Sequence, residues 1–524
     1  MYKVLITDPI SDSGIQVLQD FGLEVFTADN KSNDLVKLVA DMDGWIIRSG
    51  TTIDSALIRA AKKLKVIGRA GVGTDNIDID TATEKGVIVM NVPDGNSISA
   101  AEHTMAMISS LSRNIQLGHI SMINGMWDRH SLVGNELRGK VLGIVGLGRI
   151  GREVMKRALS YDMKIIGFDP YVNQDMFDKD TIVIEDLDRL TKISDFISVH
   201  VPLLDSTRNL FDLDRFKKMK ETARIINVAR GGIINEKDLS EALNANIIGG
   251  AAIDVFENEP IDSSNPLLSA QNILLTPHLG ASTFEAKDNV SVSICTQVGE
   301  CLINQKLSNA LNLPIADPSE LKKINDYLNL SEIIGKIHTQ LSSSPINRVA
   351  IECYGSITNS KPILLSFLKG LFMDVTSDRV NFINAGYIAK DRGIRTTNSY
   401  STDEVSFLNL IRATVFFNGG SFEIEGSVFA EGHYRITKLD GNDIDVRPKG
   451  HMIFIKNYDI PGVVGNIGKM LGDKGINIAE YILSRDSKSK LASTIIKVDQ
   501  ELGLDIIESL LTINEIVDLK KILI

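Results

Sequence analysis

Three residues of complementary chemistry follow short apolar runs near the middle of this 524-residue chain: Arg230 in NVARGG, Glu259 in AAIDVFENEP and His278 in LLTPHLGAST. A neutral imidazole can take a hydroxyl proton, and a carboxylate can orient the ring and stabilise the imidazolium that results. A guanidinium can hold a substrate carboxylate through two parallel hydrogen bonds. Proton, ring and anchor together are what removal of a hydride from a 2-hydroxy acid requires. His200 in ISVHVPL is a rival base whose place in the succession of strands reads as structural, and His103, on an apolar helical stretch, reads as core.

A hydride needs an acceptor, and the segment VLGIVGLGRIGREV supplies a site for one. Gly146, Gly148 and Gly151 form GxGxxG directly after an apolar strand and before a helical stretch, and the next strand, KIIGFD, ends in Asp169, 18 residues beyond Gly151. Gly146 makes the turn, Gly148 lets backbone approach a pyrophosphate, Gly151 packs helix on sheet, and the helix start offers N–H groups to phosphate. Asp169 stands where an adenosine ribose would be held, and no arginine beside it could pair with a 2′-phosphate. NAD is therefore expected over NADP, with no metal ion.

These residues need elements that bring them to one edge. From Val4 onward short β-branched runs alternate with helical spacing, the pattern of a parallel α/β fold, and a second such series starts at Lys140. In an open parallel sheet ligands bind beyond the carboxyl ends of the strands, where Arg230, Asp254, Glu259 and His278 all fall. Residues 97–125 carry helical periodicity throughout and predict one long helix ending at Gly125; a second is predicted over 283–306. Arg48 and Arg69 each close an apolar strand of the first series, so their guanidinium groups are expected at the crevice, where two cations fit a doubly charged second anion on the substrate.

In these segments the chain resembles the D-isomer-specific 2-hydroxyacid dehydrogenases, nearly residue by residue in LGIVGLGRIGREV, NVARGGIINE, AAIDVFENEP and TPHLGAST and over about the first 310 residues. The resemblance implies two Rossmann-like doubly wound lobes: a substrate lobe of 1–98 completed by 283–310, and an NAD-binding lobe of 99–282. It implies Arg230 as carboxylate anchor, Glu259 and His278 as the acid/base pair, and Asp254 beside the nicotinamide. Arg149, Ile150, Val201, Pro202, Val228, Ala229 and Gly280 are further implied cofactor contacts. GWIIRSGT, VIGRAGVGTDNID, NVPDGNSISAAEH and INGMWDR are similar to the branch of the family that oxidises 3-phospho-D-glycerate at the head of serine biosynthesis. By that similarity Arg48, Arg69, Asn96 and Ser97 face the substrate and Arg129 reaches a neighbouring subunit's phosphate in a homodimer or homotetramer, with reduction of 2-oxoglutarate as a side activity.

NLPIADPSE marks a Pro-punctuated departure into another domain. Residues 313–448 resemble the α+β intervening domain of the family's long form. Its hairpin HYRITKLDGNDIDVRP, centred on Gly441, is read with Arg435 opposite Arg447, a pair that an anion between them would explain. Residues 450–524 read as a small α+β unit and resemble the ACT effector domain, a ferredoxin-like module. A strand there ends in Asn457 and Asp459, and GIN returns Asn477; short amides and a carboxylate can hold a small amino acid, for which L-serine is the natural candidate in this setting.

Composition sets the outer limits. Hydrophobic residues are 43% and charged ones 23%, near the globular average, and the formal charge of −11 argues against a nucleic-acid or anionic-membrane surface. Three cysteines in no metal-ligand spacing and a start without a leader pattern or an apolar span predict a cytoplasmic, disulfide-free protein without a membrane segment. Two alternatives stay open at this point: action on glyoxylate, lactate or 2-hydroxyglutarate, and an NAD-sensing transcriptional co-regulator on the same fold.

Overall fold

The structure is a computed structural model of the chain; it describes residues 1–524 apart from 30–33, 314–317, 343, 374, 377–378, 404–406, 408 and 486–489, and the side chains of 318–322. The centre of the predicted Pro-punctuated connection, 314–317, thus lies outside the described residues. Among the described residues no helix is long and apolar enough to cross a membrane, and no group of three or more His, Cys, Asp or Glu could hold a metal ion.

Strands β1 (Lys3–Ile6), β2 (Glu24–Thr27), β3 (Gly44–Ile47), β4 (Val66–Arg69) and β5 (Ile88–Met90) form an all-parallel sheet in the order 2-1-3-4-5. Their near-continuous Val, Ile and Leu content follows from burial on both faces. One face carries helices Leu35–Val39, Ser55–Ala60 and Ile79–Glu84, and the other carries Asp12–Asp20 together with the distant helix Phe284–Asn304. That helix lies close because Gly68 has no side chain: a Cβ there would stand 2.7 Å from Val298 Cγ2 and 2.8 Å from Ile294 Cγ1.

The second parallel sheet has seven strands: β6 (Val141–Val145), β7 (Lys164–Phe168), β8 (Val183–Ile184), β9 (Phe196–Val199), β10 (Arg224–Asn227), β11 (Gly250–Ile253) and β12 (Ile273–Leu275). Their order, 12-11-10-9-6-7-8, reverses direction between β6 and β9, which makes the carboxyl edge there a topological switch point. The two parallel sheets are the expected Rossmann-like lobes.

The predicted long helix is interrupted. Ser97–Arg113 stops at Asn114, whose φ of +51° is left-handed, and a separate helix runs Ile115–Ile123. The break is imposed from outside the periodic pattern: Asn135 N–H and the Ser112 hydroxyl bond across, to Ser112 O at 2.8 Å and Asn135 O at 2.6 Å, so the returning loop takes the carbonyl that would have continued the helix. Asparagine tolerates the left-handed region and permits the kink.

A mixed sheet follows, built from β13 (Ile346–Tyr354), β14 (Arg395–Ser401), β15 (Leu410–Phe417), β16 (Gly420–Ala430), β17 (His433–Leu439) and β18 (Asn442–Val446) in the order 14-13-15-16-17-18, with helices Pro318–Leu341 and Ser360–Phe372 on one face. The last sheet, β19 (His451–Tyr458), β20 (Ile478–Arg485), β21 (Leu491–Val498) and β22 (Ile516–Leu523), is antiparallel in the order 20-21-19-22, and with helices Val463–Asp473 and Leu504–Leu511 it runs βαββαβ. Alternation along β19 explains its unbroken apolar run: Ile453 and Ile455 face its own helices, while Met452 and Phe454 join the core of the mixed sheet.

Candidate active site

Six of the seven strands of the second sheet, all but β8, carry an expected site residue or the glycine loop just past their carboxyl ends. Gly146, at φ +99°, turns the chain out of β6, where a Cβ would stand 2.7 Å from His200 O. A Cβ on Gly151 would stand 2.1 Å from Gly146 O, so the helix Arg149–Leu159 can seat on the loop only as glycine. At Gly148 a Cβ would meet nothing within 4 Å, so the protein's own packing does not call for glycine there; approach of a phosphate to the backbone does. Asp169 follows β7 and accepts Leu147 N–H at 3.0 Å and Tyr171 N–H at 2.9 Å, which ties it to the glycine loop. Arg149 and Ile150 open the helix above that loop; Val201 and Pro202 follow β9, and Val228 and Ala229 follow β10. These residues fit a dinucleotide.

The expected acid/base pair, Glu259 and His278, meets beyond the ends of β11 and β12. His278 Nδ1 lies 2.6 Å from Glu259 Oε2, and Glu259 Oε1 accepts Phe256 N–H at 2.9 Å. Burial alone would push the Glu259 carboxyl up, but the His278 and Phe256 hydrogen bonds outweigh it and hold it below the ordinary range. His278 stands at φ +53°, its N–H bonded to Asp254 O at 2.8 Å, and its ring is about half exposed. Arg230 is held at the end of β10 by Asn227, whose amide donates to Arg230 O at 2.8 Å. Gly231 lets the two loops meet, since a Cβ there would lie 1.9 Å from Phe256 O.

Asp254 takes a different place from a free cofactor contact. Its carboxylate is fully buried and accepts from Thr276 Oγ1 at 2.6 Å, Leu279 N–H at 2.7 Å, Gly280 N–H at 2.8 Å and His103 Nε2 at 3.2 Å. Burial works to raise its pKa, and these bonds more than cancel that, so it stays ionised. It organises the loop that presents His278. His103 is therefore not a core histidine: it is partly exposed and bonded to Asp254, brought there by a helix that packs on β10 and β11. A helical period alone could not show this partner. His200 is partly buried, with its Nε2 2.8 Å from Ser198 Oγ, and desolvation lowers its pKa to about 4, which fits the structural reading of the rival base.

Three arginines converge from both lobes. Arg48 follows β3, Arg69 ends β4 and Arg230 follows β10; burial first, then the positive charges of Arg230 and Arg48, lower the Arg69 pKa to about 10. Gly71 and Gly73 make room, for a Cβ would fall 1.7 Å from Arg69 Nη1 and 2.2 Å from Arg230 Nη2. Arg69 Nε, Asn96 Oδ1 and Ser97 Oγ are buried without a hydrogen-bond partner. Buried polar groups in a folded protein are otherwise nearly always satisfied, and the buried Arg69 Nε is a donor left without an acceptor. Arg129 is not brought to this cluster; it lies in an exposed segment beside Trp127.

The expected regulatory residues fare unevenly. Asn457 is 1% exposed; its Nδ2 donates to Tyr458 O at 2.9 Å and its Oδ1 accepts from Thr494 Oγ1 at 3.1 Å, so it is not a surface effector contact. Asp459 pairs with Arg485 Nε at 3.3 Å, and Asn477 donates to Asp499 at 2.6 Å. Arg435 is not left facing an unpaired arginine either: Asp445, in the adjacent strand, lies 3.3 Å from its Nη1, and Arg447 falls beyond the end of β18. The chain supplies its own anion there.

The family model described as D-isomer specific 2-hydroxyacid dehydrogenase, NAD binding domain, matches residues 105–280. Among solved structures, the NAD-dependent formate dehydrogenase from Staphylococcus aureus in complex with NAD is 29% identical with a TM-score of 0.53, covering 61% of this chain and 98% of that one. The D-lactate dehydrogenase from Aquifex aeolicus complexed with NAD and lactic acid is 25% identical with a TM-score of 0.54, covering 60% and 100%. Fold and site thus define an NAD-dependent dehydrogenase of D-2-hydroxy acids.

A second family model, D-3-phosphoglycerate dehydrogenase intervening domain, matches residues 323–440. The D-3-phosphoglycerate dehydrogenase of Methanocaldococcus jannaschii is 39% identical over 99% of both chains, and that of Bacillus subtilis 38% identical over 100% of this chain and 99% of its own. The chain belongs to the D-3-phosphoglycerate dehydrogenase family.

Proposed function

We propose that the protein oxidises 3-phospho-D-glycerate to 3-phosphooxypyruvate, the entry step of phosphorylated serine synthesis. The observation that carries this reading is the convergence of Arg48 and Arg230 on the buried Arg69, whose Nε has no hydrogen-bond partner. Three like charges at one crevice ask for more than the single carboxylate of lactate or glyoxylate; a phosphate and a carboxylate together answer them. Arg230 holds the carboxylate, Arg48 and Arg69 the phosphate. His278, with Nδ1 turned to Glu259, presents Nε2 to the substrate hydroxyl and takes its proton. NAD, when bound, supplies the hydride acceptor; Gly146, Gly148, Arg149 and Asp169 hold it. The lobes divide as 1–98 with 283–310 around the substrate and 99–282 around the cofactor.

An apolar surface favours a homo-oligomer: Ile120, Ile123, Met126, Trp127 and Val133 are all exposed on or beside the helix Ile115–Ile123. Residues 450–524 serve as the effector domain, with Asp459 and Asn477 as the L-serine contacts, acting through 313–448. Reduction of 2-oxoglutarate is a side activity of the same crevice. The test is NADH formation with 3-phosphoglycerate, D-lactate and 2-hydroxyglutarate, in wild type and Arg69→Ala. Preference for the phosphorylated acid should fall at least tenfold in the variant; equal use of all three acids by the wild type would refute the reading.

A further inference from the structure

Arg230 and Arg149 belong to the second lobe, yet each is held by a carboxylate of the first. Asp75, in the loop after β4 and 80% exposed, has Oδ2 3.4 Å from Arg230 Nε. Asp94, between β5 and the helix Ser97–Arg113 and 66% exposed, pairs with Arg149 Nε. Neither side chain caps a helix: Asp78 caps Ile79–Glu84, and Ser97–Arg113 begins at Asn96. Two ion pairs therefore cross the crevice, and each engages an arginine that the proposed function gives to a ligand anion.

Their chemistry is that of a stand-in. A carboxylate on Arg230 is what the substrate offers to the same guanidinium, and an anion on Arg149 is what a pyrophosphate offers. The local balance points the same way. Arg69 is destabilised by Arg230 and Arg48, and Asp75 is one of the two carboxylates that offset this, the other being Asp8. Asp8 is buried and takes the N–H groups of Arg48 and Thr51, whereas Asp75 is exposed and can swing aside at little cost. Exposed ion pairs bias an equilibrium by up to about fivefold, enough to tune affinity without blocking entry.

We propose that Asp75 and Asp94 are resident counter-ions of the crevice, which hold Arg230 and Arg149 in the free enzyme and are displaced by the substrate carboxylate and the cofactor pyrophosphate respectively. The proposal rests on the assignment of those two arginines to the ligands. It makes Asp75 and Asp94 positioning residues that weaken binding, each for its own ligand.

The test uses the full chain, with steady-state kinetics for 3-phosphoglycerate and calorimetry for NAD. Asp75→Asn should lower KM for 3-phosphoglycerate about threefold to fivefold, move kcat less than about twofold, and leave the NAD affinity in place. Asp94→Asn should tighten NAD by a similar factor and leave KM for the acid in place. An unchanged or raised KM in Asp75→Asn overturns the proposal, and so does an equal shift of both ligands in both variants, which is a general field effect. Arg230→Ala separates the underlying assignment: lost turnover keeps it, whereas wild-type KM and kcat in that variant remove both the assignment and the proposal.

Discussion

His278 Nδ1 and Glu259 Oε2 stand 2.6 Å apart, while the same carboxylate's other oxygen is fixed by Phe256 N–H. With both carboxylate oxygens occupied, the hydrogen bond to the acid favours the tautomer with Nδ1–H and leaves Nε2 as the acceptor. Glu259→Gln keeps the shape but removes the charge that stabilises an imidazolium. Turnover should fall by roughly 10² or more in Glu259→Gln and by roughly 10² to 10⁴ in His278→Ala, with NAD affinity retained. Stopped-flow NADH formation and calorimetry check both parts; full turnover in His278→Ala would move the base elsewhere.

Asp169 accepts from Leu147 in the glycine loop, and the proposed function gives it the cofactor's ribose. Asp169→Ala removes a ribose acceptor and a repulsive charge together. NAD should weaken far more than NADP, measured as the ratio of kcat/KM for the two cofactors. Equal loss for both would contradict the placement.

His338 gives a pH dependence whose sign is fixed by burial. It is 1% exposed between the rings of Phe367 and Phe422, and burial lowers its pKa from 6.5 to about 3 against a small opposing effect of the Ala413 carbonyl. The folded chain refuses a proton that the unfolded chain binds, so this contribution to stability is complete above pH 6.5 and is lost as pH falls toward 3. At pH 4.5 the loss is about 2–3 kcal/mol. His338→Gln should move the acid-unfolding midpoint, followed by circular dichroism, to lower pH; an unchanged midpoint would argue against it.

Asp459 is the cleanest probe of the effector proposal. Its carboxylate already holds Arg485 at 3.3 Å, and an amino acid's ammonium would take that place. Asp459→Ala should leave turnover without serine near wild type and shift serine inhibition at least roughly tenfold, about 1.4 kcal/mol of binding. Wild-type sensitivity in the variant, or no heat of serine binding to the intact protein, would remove the proposal.

Local patterns decided a good deal of this protein. The parallel sheets, the glycine loop with Asp169 and the segments bearing Arg230, Glu259 and His278 were legible because strand periodicity and turn chemistry are written over a few adjacent residues. What depended on partners far along the chain was not. The break at Asn114 comes from a loop some twenty residues away that takes a helix carbonyl. His103 reads as core until Asp254, 151 residues distant, reaches it. Asn457 looked outward until Thr494 on the neighbouring strand claimed its amide, and Arg435 looked unpaired until Asp445 lay across from it. The pairing of Asp75 with Arg230 and of Asp94 with Arg149 was decided only where residues following the first sheet meet residues following the second, because an ion pair depends on distance in space and periodicity records only distance along the chain.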